Sequence, residues 1–255
     1  MPEKSAIYFA SDFHLGIPDY ESSLKRERKI IRWLELVQKD AVAIYLMGDV
    51  FDFWFEYKHV VPKYFVRLLG KLAELTDKGI RIEMFTGNHD MWAFDYLSKE
   101  IGITIHRSPV FVDLQGKKLL LGHGDGLGPG DYGYKFIKKI FANRTCQWLF
   151  ARLHPNLAMG MANFWSGKSR KANPEKEVFE SEDKEWLHIY SKQQLALQPQ
   201  LDYFIFGHRH LPLDLKVGEK ARYVNLGDWF NWCSYAELRG GNLQLKYFDE
   251  DSFQN

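Results

Sequence analysis

Residues 7–14 of the chain are IYFASDFH, a short apolar run that leads directly into aspartate and histidine. A run of aromatic and branched apolar side chains that stops at polar residues indicates a buried strand. Asp12 and His14 follow that strand where the chain has to leave the sheet. The stretch therefore predicts an internal strand with a pair of polar side chains at its carboxyl end.

The same arrangement recurs further along the chain, where apolar strand patterns again stop just before polar residues. These predicted strands are residues 43–47, 80–85, 118–121 and 203–206. Helical patterns over residues 21–38 and 61–78 separate the first three strands, and Gly79 follows the second pattern, where a left-handed helix end favours glycine. Alternating strands and helices are typical of an α/β domain.

The last part of the chain contains strand patterns only. Gly240 and Gly241 give a hairpin signal there, so we expect an antiparallel element to close the chain. Its predicted strands are residues 213–217, 222–226, 234–238 and 243–248.

Residues 130–198 interrupt the α/β rhythm. They have helical character, with Pro155 and Pro174 as breaks and without a strand pattern. We interpret them as an inserted helical cap, so that the predicted core consists of residues 1–129 and 199–255.

Composition limits the class of protein. The 255 residues are 45% hydrophobic, which suffices for one large core, and the formal net charge of +1 does not indicate a polyanion-binding protein as a whole. Only two cysteines are present, which favours a reducing, cytoplasmic location over a disulfide framework. The N-terminal residues do not resemble an export signal, and we find no run of about 18 apolar residues that predicts a membrane span.

Seven polar residues follow the ends of five predicted strands, and four of them come directly after a glycine that would let the backbone turn tightly. These candidate metal ligands are Asp12, His14, Asp49, Asn88, His123, His208 and His210, and the glycines are Gly48, Gly87, Gly122 and Gly207. Oxygen and imidazole ligands without cysteine indicate manganese, iron or zinc in hydrolysis rather than a structural zinc site. Seven ligands are too many for one ion, so two divalent ions sharing a carboxylate are expected.

A single histidine or aspartate at a strand end is more often a capping or hydrogen-bonding group than a ligand. The repetition at several strand ends is what favours metal binding here. Four histidines lie outside the pattern and are expected to be structural or exposed. These are His59, His106, His154 and His188.

The motifs at these strand ends resemble the complete signature of the calcineurin-like metallophosphoesterases. They are Asp12-Phe13-His14, Gly48-Asp49, Gly87-Asn88-His89-Asp90, Gly122-His123 and Gly207-His208-Arg209-His210. The resemblance implies a four-layer α/β/β/α sandwich. It implies one metal held by Asp12, His14, Asp49 and His210, and a second held by Asp49, Asn88, His123 and His208. It also implies that His89 contacts the phosphoryl group and protonates the leaving oxygen, with Asp90 orienting it.

Further motifs are similar to those of the UDP-2,3-diacylglucosamine pyrophosphatases of lipid A synthesis. They lie at residues 123–125, 130–134 and 169–173. That family hydrolyses a lipid-linked UDP-sugar to UMP and 2,3-diacylglucosamine 1-phosphate. The resemblance implies two metal ions, with Mn²⁺ as the leading candidate and iron or zinc as alternatives. It also implies peripheral association with the cytoplasmic face of the inner membrane. The substrate-binding residues that it implies are Asn88, His89, Asp131, Ser169, Arg170 and Lys171. One departure is His89, where the best-known branch has arginine, so another substrate remains open.

The charge of the insert supports a lipid-handling cap. From Lys135 to Pro174 there are eight lysines and arginines and no aspartate or glutamate. The same stretch is rich in aromatic and aliphatic side chains at helical spacing, as on surfaces that contact anionic headgroups. They are Phe136, Ile137, Ile140, Phe141, Trp148, Leu149, Phe150, Phe164 and Trp165. The alternative is that the apolar groups only pack the cap onto the core and the lysines form a solvated face.

Two other functions stay open at this point. The basic insert would equally suit a phosphodiesterase or nuclease acting on a soluble nucleotide or nucleic acid, although the leading interpretation needs no nucleic acid. A scaffold of the same fold without catalysis is disfavoured, because all seven candidate ligands and His89 are present. The metal identity, acyl-chain preference and oligomeric state do not follow from the sequence.

Overall fold

A computed structural model describes residues 5–130, 132–162 and 178–249, and it contains two β-sheets packed face to face. The strands are β1 (Ala6–Ala10), β2 (Ala41–Leu46), β3 (Arg81–Phe85), β4 (Thr104–His106), β5 (Val110–Leu114), β6 (Lys117–Leu121), β7 (Tyr203–Phe206), β8 (Pro212–Val217), β9 (Ala221–Leu226), β10 (Ser234–Arg239) and β11 (Asn242–Tyr247). The helices are α1 (Tyr20–Val37), α2 (Val66–Asp77), α3 (Tyr96–Ile101), α4 (Tyr132–Ala142), α5 (Arg144–Phe150), α6 (residues 155–162) and α7 (Trp186–Leu197).

The first sheet has six strands in the order β11-β10-β1-β2-β3-β4. Strands β1 to β4 are parallel, whereas β10 runs antiparallel to β1 and carries β11 on its outer side. Phe9 pairs with Tyr45 in the β1–β2 register, so the chain segments that follow these strands leave the same edge of the sheet. Candidate ligands after β1, β2 and β3 are thereby brought side by side.

The second sheet has five strands in the order β5-β6-β7-β9-β8. Its three central strands β6, β7 and β9 are parallel, and β5 and β8 pair antiparallel at the two edges. Leu121 pairs with Ile205 across β6 and β7, which places the segments that follow these two strands next to each other. His123 and His208 belong to these segments.

The packing of side chains gives four layers. In β1, Ala6, Tyr8 and Ala10 face the helices α1 to α3, while Ile7 and Phe9 face the second sheet, as the period of two along a strand requires. Leu187 of α7 packs with Phe204 and Phe206 on the outer face of the second sheet. The order helix, sheet, sheet, helix confirms the predicted α/β/β/α sandwich.

The predicted elements agree with the structure except in a few places. Helix α1 starts after Asp19, whose carboxylate accepts a hydrogen bond from the Ser22 N–H, and Gly79 has the expected left-handed φ of 76° after α2. Helix α2 begins at Val66 rather than at residue 61, because Phe65 just before it has a left-handed φ of 67° that a helix cannot contain. Strands β4 and β5 were not predicted, since β4 has only three residues and β5 is partly exposed.

The C-terminal strands form antiparallel pairs as expected, but they divide between the two sheets. Strands β8 and β9 complete the second sheet, whereas β10 and β11 complete the first. The hairpin prediction is confirmed, because Gly240 and Gly241 both have left-handed φ values, 56° and 78°, and connect the paired residues Arg239 and Asn242.

The predicted cap is helical in its described part. Helices α4 and α5 contain no buried residues, whereas Leu187 of α7 is fully buried against the second sheet. The insert was predicted to end at residue 198. Because α7 packs on the second sheet, we propose instead that the cap ends before Trp186. Among the described residues, no helix is both long and apolar enough to cross a bilayer.

Candidate metal centre

Ligand-type side chains from both sheets meet at one edge of the sandwich. Three groups have ligand atoms that all lie within 4.8 Å of one another. These groups are Asp12, His14 and His210; Asp49, His123 and His208; and His14, Asp49 and His89. His14 and Asp49 each belong to two groups, so the three groups form one continuous cluster. Of the seven predicted ligands, six are in these groups. The seventh, Asn88, follows β3, and its amide oxygen is buried without a hydrogen-bond partner among the described residues.

The shortest side-chain contacts within the cluster join histidine nitrogens to one another or to carboxylate oxygens. His14 Nε2 lies 3.1 Å from His210 Nε2, and His210 Nε2 lies 3.2 Å from Asp12 Oδ1. His123 Nε2 lies 3.2 Å from Asp49 Oδ2. Such spacings are those of neighbouring ligands around a common cation.

The backbone at the candidate ligands is strained. Left-handed φ values are uncommon outside glycine and cluster at functional sites. Five of the seven candidates have them, namely Asp12 (57°), His14 (42°), Asp49 (51°), His208 (70°) and His210 (55°). These conformations turn the side chains toward the cluster immediately after each strand.

The glycines beside the candidate ligands mainly allow the backbone to lie close to a neighbouring side chain, and not a tight turn of the chain. Of the four that were expected to allow tight turns, only Gly48 has a left-handed φ, of 101°. A Cβ atom on Gly87 would lie 2.2 Å from Asp49 Oδ1, and one on Gly207 would lie 2.5 Å from Asp12 Oδ2. The turning explanation is therefore wrong for Gly87 and Gly207, where the absence of a side chain leaves room for a carboxylate.

Hydrogen bonds of the ring nitrogens orient His123 and His14. His123 Nδ1 lies 2.9 Å from the Met47 carbonyl oxygen, so Nδ1 donates its proton there and Nε2 is the nitrogen that faces the cluster. His14 Nδ1 is likewise 3.3 Å from Asp52 Oδ1. Three buried ligand atoms lack a hydrogen-bond partner among the described residues: Asp12 Oδ1, Asn88 Oδ1 and His123 Nε2. Buried polar atoms without partners are costly, so these residues fit divalent cations.

The pKa values of the cluster residues also favour metal binding. Burial alone would raise the pKa of Asp49, but the His123, His89 and His14 rings outweigh it and hold that pKa far below its ordinary value. Burial would lower the pKa of His123, but Asp49 raises it to about 10. Burial and the neighbouring His123 lower the pKa of His208 to about 4. The carboxylates that attract a proton to His123 also attract a metal ion, which would displace that proton.

His89 and Asp90 have different partners from those expected. His89 Nδ1 lies 2.8 Å from the carbonyl oxygen of Asp52. The buried Asp90 carboxylate instead accepts hydrogen bonds from the N–H groups of Gly87 and Val50. Asp52 therefore holds the ring and Asp90 holds the backbone that carries it, and the orienting role of Asp90 stays a prediction, which would act through that backbone. Burial, followed by the Asp49 carboxylate, raises the pKa of Asp90 to about 7.

Arg26 supports the first ligand loop and was not predicted. Its guanidinium donates to the carbonyl oxygens of Phe13 (2.7 Å), His14 (2.7 Å) and Ile17 (2.5 Å), and the residue is only 7% exposed. The sequence signal was its position on the buried face of α1, whose period also contains Ile30 and Trp33. An arginine at such a position requires a polar partner inside the protein.

Arg209 stabilises the chain segment that contains His208 and His210. Its Nε donates to Glu185 Oε2 at 2.9 Å, and both residues are at most 5% exposed. Glu185 also accepts from the hydroxyl of Tyr223, and Asn225 Nδ2 donates to the Gly207 carbonyl oxygen. The chain between His208 and His210 is therefore fixed to the start of α7 and to β9.

The cap approaches the centre through α4. The hydroxyl of Tyr134 donates to Asp125, and Lys138 Nζ lies 2.6 Å from the same carboxylate. The Tyr134 ring is 6.5 Å from the His208 ring. Of the predicted substrate-binding residues, His89 is in one of the three groups and Asn88 is its neighbour in the chain. Asp131, Ser169, Arg170 and Lys171 lie outside the described residues, as do Phe164 and Trp165.

Comparison with known proteins adds to this geometry. The family model described as calcineurin-like phosphoesterase matches residues 5–212. A protein named UDP-2,3-diacylglucosamine hydrolase from Porphyromonas gingivalis is 39% identical over 97% of this chain and 99% of its own. One of the same name from Aeromonas salmonicida is 30% identical over 93% and 91%. For a dimetal phosphatase structure from Danio rerio, the identity is 13%, the alignment covers 96% of each chain and the TM-score is 0.47.

Proposed function

Because the chain belongs to the calcineurin-like phosphoesterase family, whose members named above are hydrolases, we propose that it hydrolyses UDP-2,3-diacylglucosamine. The products would be UMP and 2,3-diacylglucosamine 1-phosphate. The observation that carries the substrate is the 39% identity with the Porphyromonas gingivalis hydrolase over almost the whole of both chains. His89, at the position of an arginine in the best-known branch, then belongs to a variant with the same activity.

We assign the two metal sites as follows. Asp12, His14, Asp49 and His210 would hold one ion, and Asp49, Asn88, His123 and His208 the other. Two of the close groups support this division, one with Asp12, His14 and His210 and the other with Asp49, His123 and His208. The three buried ligand atoms without a hydrogen-bond partner among the described residues also support it. When bound, two divalent ions, Mn²⁺ in our proposal, would polarise the phosphoryl oxygens and offset their charge.

His89 is the proposed general acid. The Asp52 carbonyl oxygen holds Nδ1, which leaves Nε2 as the atom that would deliver a proton to the leaving oxygen. The backbone N–H of His89 also donates to Asp49 Oδ1 at 2.9 Å, so the loop that carries the ring is tied to the carboxylate that we assign to both ions. Asp90 would act only through the backbone around Gly87 and Val50.

The cap is proposed to bind the acyl chains and to contact the cytoplasmic face of the inner membrane. Large apolar side chains on α4 and α5 are exposed, including Phe136 at 65% and Trp148 at 55%. Phe141 and Phe150 instead pack against Trp92 and so attach the helices to the core. Exposed apolar groups among lysines and arginines suit an anionic lipid surface.

The test is a paired assay with Mn²⁺. We expect release of UMP from UDP-2,3-diacylglucosamine in detergent, at a kcat/KM far above that for a UDP-sugar without acyl chains. Equal rates on both substrates would reject lipid recognition and leave a general nucleotide pyrophosphatase. Salt-sensitive cleavage of DNA without turnover of the lipid would instead favour a nuclease.

A further inference from the structure

A rigid turn beside the metal centre presents an aromatic ring to solvent. The buried carboxylate of Asp228 accepts hydrogen bonds from the backbone N–H groups of Phe230 (3.1 Å), Asn231 (2.7 Å) and Trp232 (3.3 Å). The Trp229 N–H donates to the carbonyl oxygen of Asp12 at 3.2 Å, which ties the turn to the first ligand loop. Phe230 is nevertheless 37% exposed. The turn therefore holds this ring in place without burying it.

The Phe230 ring is backed on one face by a fixed cation. The Arg26 guanidinium carbon lies 3.8 Å from the ring centre, and three backbone carbonyl oxygens hold that guanidinium. Arg26 thus covers one face of the ring, although Phe230 is 37% exposed. The ring centre is 5.9 Å from that of His14, so the Phe230 ring adjoins the first group of ligands. A planar group held at the centre could stack on it.

The two groups of ligands have different surroundings. Helix α4 approaches the second group, where Tyr134 lies near His208. Phe230 approaches the first group, near His14. A phosphoanhydride held between them has two organic ends, and they must leave the centre in different directions. The acylated sugar matches the apolar helices, which leaves the aromatic side for the other end.

We propose that Phe230 is the stacking platform for the nucleobase of the substrate's nucleotide half. This inference rests on the proposed function for the identity of that half. Aromatic side chains bind bases of any kind through their π-faces, so Phe230 would strengthen nucleotide binding while contributing little to the choice among bases. Choice among bases would require hydrogen bonds from other residues.

The test compares binding of UMP and of ribose 5-phosphate, which lacks the base, to the manganese-loaded protein by calorimetry. For the wild type we expect UMP to bind at least about tenfold more tightly. In Phe230→Ala this preference should largely disappear, and Phe230→Trp should restore it. Trp232→Ala is the matched control, because Trp232 is on the same turn and 44% exposed. It should keep the preference.

Three results would overturn the inference. The first is a wild type without preference for UMP. The second is a preference that survives Phe230→Ala, and the third is a loss of affinity for both ligands in equal proportion, as expected if Phe230 only packs against Arg26. Neither ligand contains a lipid. A protein that shows the Phe230-dependent preference but does not hydrolyse the lipid substrate would therefore reject the proposed function alone.

Discussion

The cap helices α4 and α5 differ in construction from the edge of the sandwich where the candidate ligands lie. Asp12 and Asp49 are at most 1% exposed and have strained backbones, and each carboxylate accepts a hydrogen bond from the backbone N–H of a histidine, His208 for Asp12 and His89 for Asp49. Phe136 and Trp148 of the cap are more than half exposed. Groups that must hold charged ligands need fixed positions, whereas groups that bind flexible acyl chains need accessible apolar surface. Changes at the edge should therefore reduce turnover, and changes in the cap should reduce substrate affinity.

The largest expected effect is at Asp49, the carboxylate that we assign to both metals. Asp49→Ala removes this ligand and also the acceptor of the His89 N–H. We expect turnover of the lipid substrate to fall on the order of a thousandfold or more. The control is Asp113→Ala, at an exposed position on β5, which should keep wild-type turnover. A near-normal rate for Asp49→Ala would contradict a shared carboxylate.

Gly87→Ala tests whether the edge depends on the close approach of backbone and carboxylate. The added Cβ would lie 2.2 Å from Asp49 Oδ1 and so must displace the carboxylate or the loop. A displacement near 1 Å is expected to lower kcat about a hundredfold. Gly70→Ala is the matched control, because its Cβ meets nothing within 4 Å in the helix α2. It should raise the free energy of unfolding by roughly 0.5–1 kcal/mol, and equal activities of the two variants would refute the explanation.

Arg209→Met tests whether the ion pair between Arg209 and Glu185 holds the chain segment of His208 and His210 in place. The change leaves Glu185 buried without its cation and should lower the free energy of unfolding by roughly 3–5 kcal/mol. It should also weaken Mn²⁺ activation roughly 10- to 100-fold, as loss of a group that holds metal ligands does.

The double variant Arg209→Met/Glu185→Gln separates these two effects. It should recover much of the stability, because the unpaired charge is gone, while the weak response to Mn²⁺ persists. Recovery of both would show that Arg209 is only structural. Lys184→Met, at an exposed neighbouring position, should change neither quantity.

The smallest expected effect belongs to the cap. Phe136→Ala removes an exposed apolar side chain of α4, so we expect the KM for UDP-2,3-diacylglucosamine to rise by up to about tenfold. The effect on a UDP-sugar without acyl chains should be much smaller. A fall in kcat on both substrates would instead place α4 in the catalytic machinery.

The sequence predicted most of the core because its strands have strong local signals. Residues 203–206 and the paired glycines of the last hairpin are recognisable without knowledge of the rest of the chain. Short or partly exposed strands such as β4 have no comparable signal. The sequence does not distinguish α7 from the cap, because both are helical, and our proposal that α7 belongs to the core rests on its packing against Phe204 and Phe206.

The candidate ligands were predictable for a similar reason, since each follows a strand in a short motif. The residues that hold the ligand segments in place could not be predicted. Arg26 is joined to carbonyl oxygens up to 13 positions away, and Arg209 to Glu185, 24 positions away. Neither the correct partner of His89 nor the role of Gly87 follows from spacing, because both depend on how the loops after β2 and β3 approach each other.

The most direct test of the metal centre is the number of Mn²⁺ ions bound per chain, measured by calorimetry and elemental analysis on the purified protein and on Asp49→Ala. The account predicts two equivalents for the wild type, and a hydrolytic rate that depends on both. It predicts at most one weakly bound equivalent for the variant. A single equivalent in a fully active wild type, or two in an equally active variant, would contradict it.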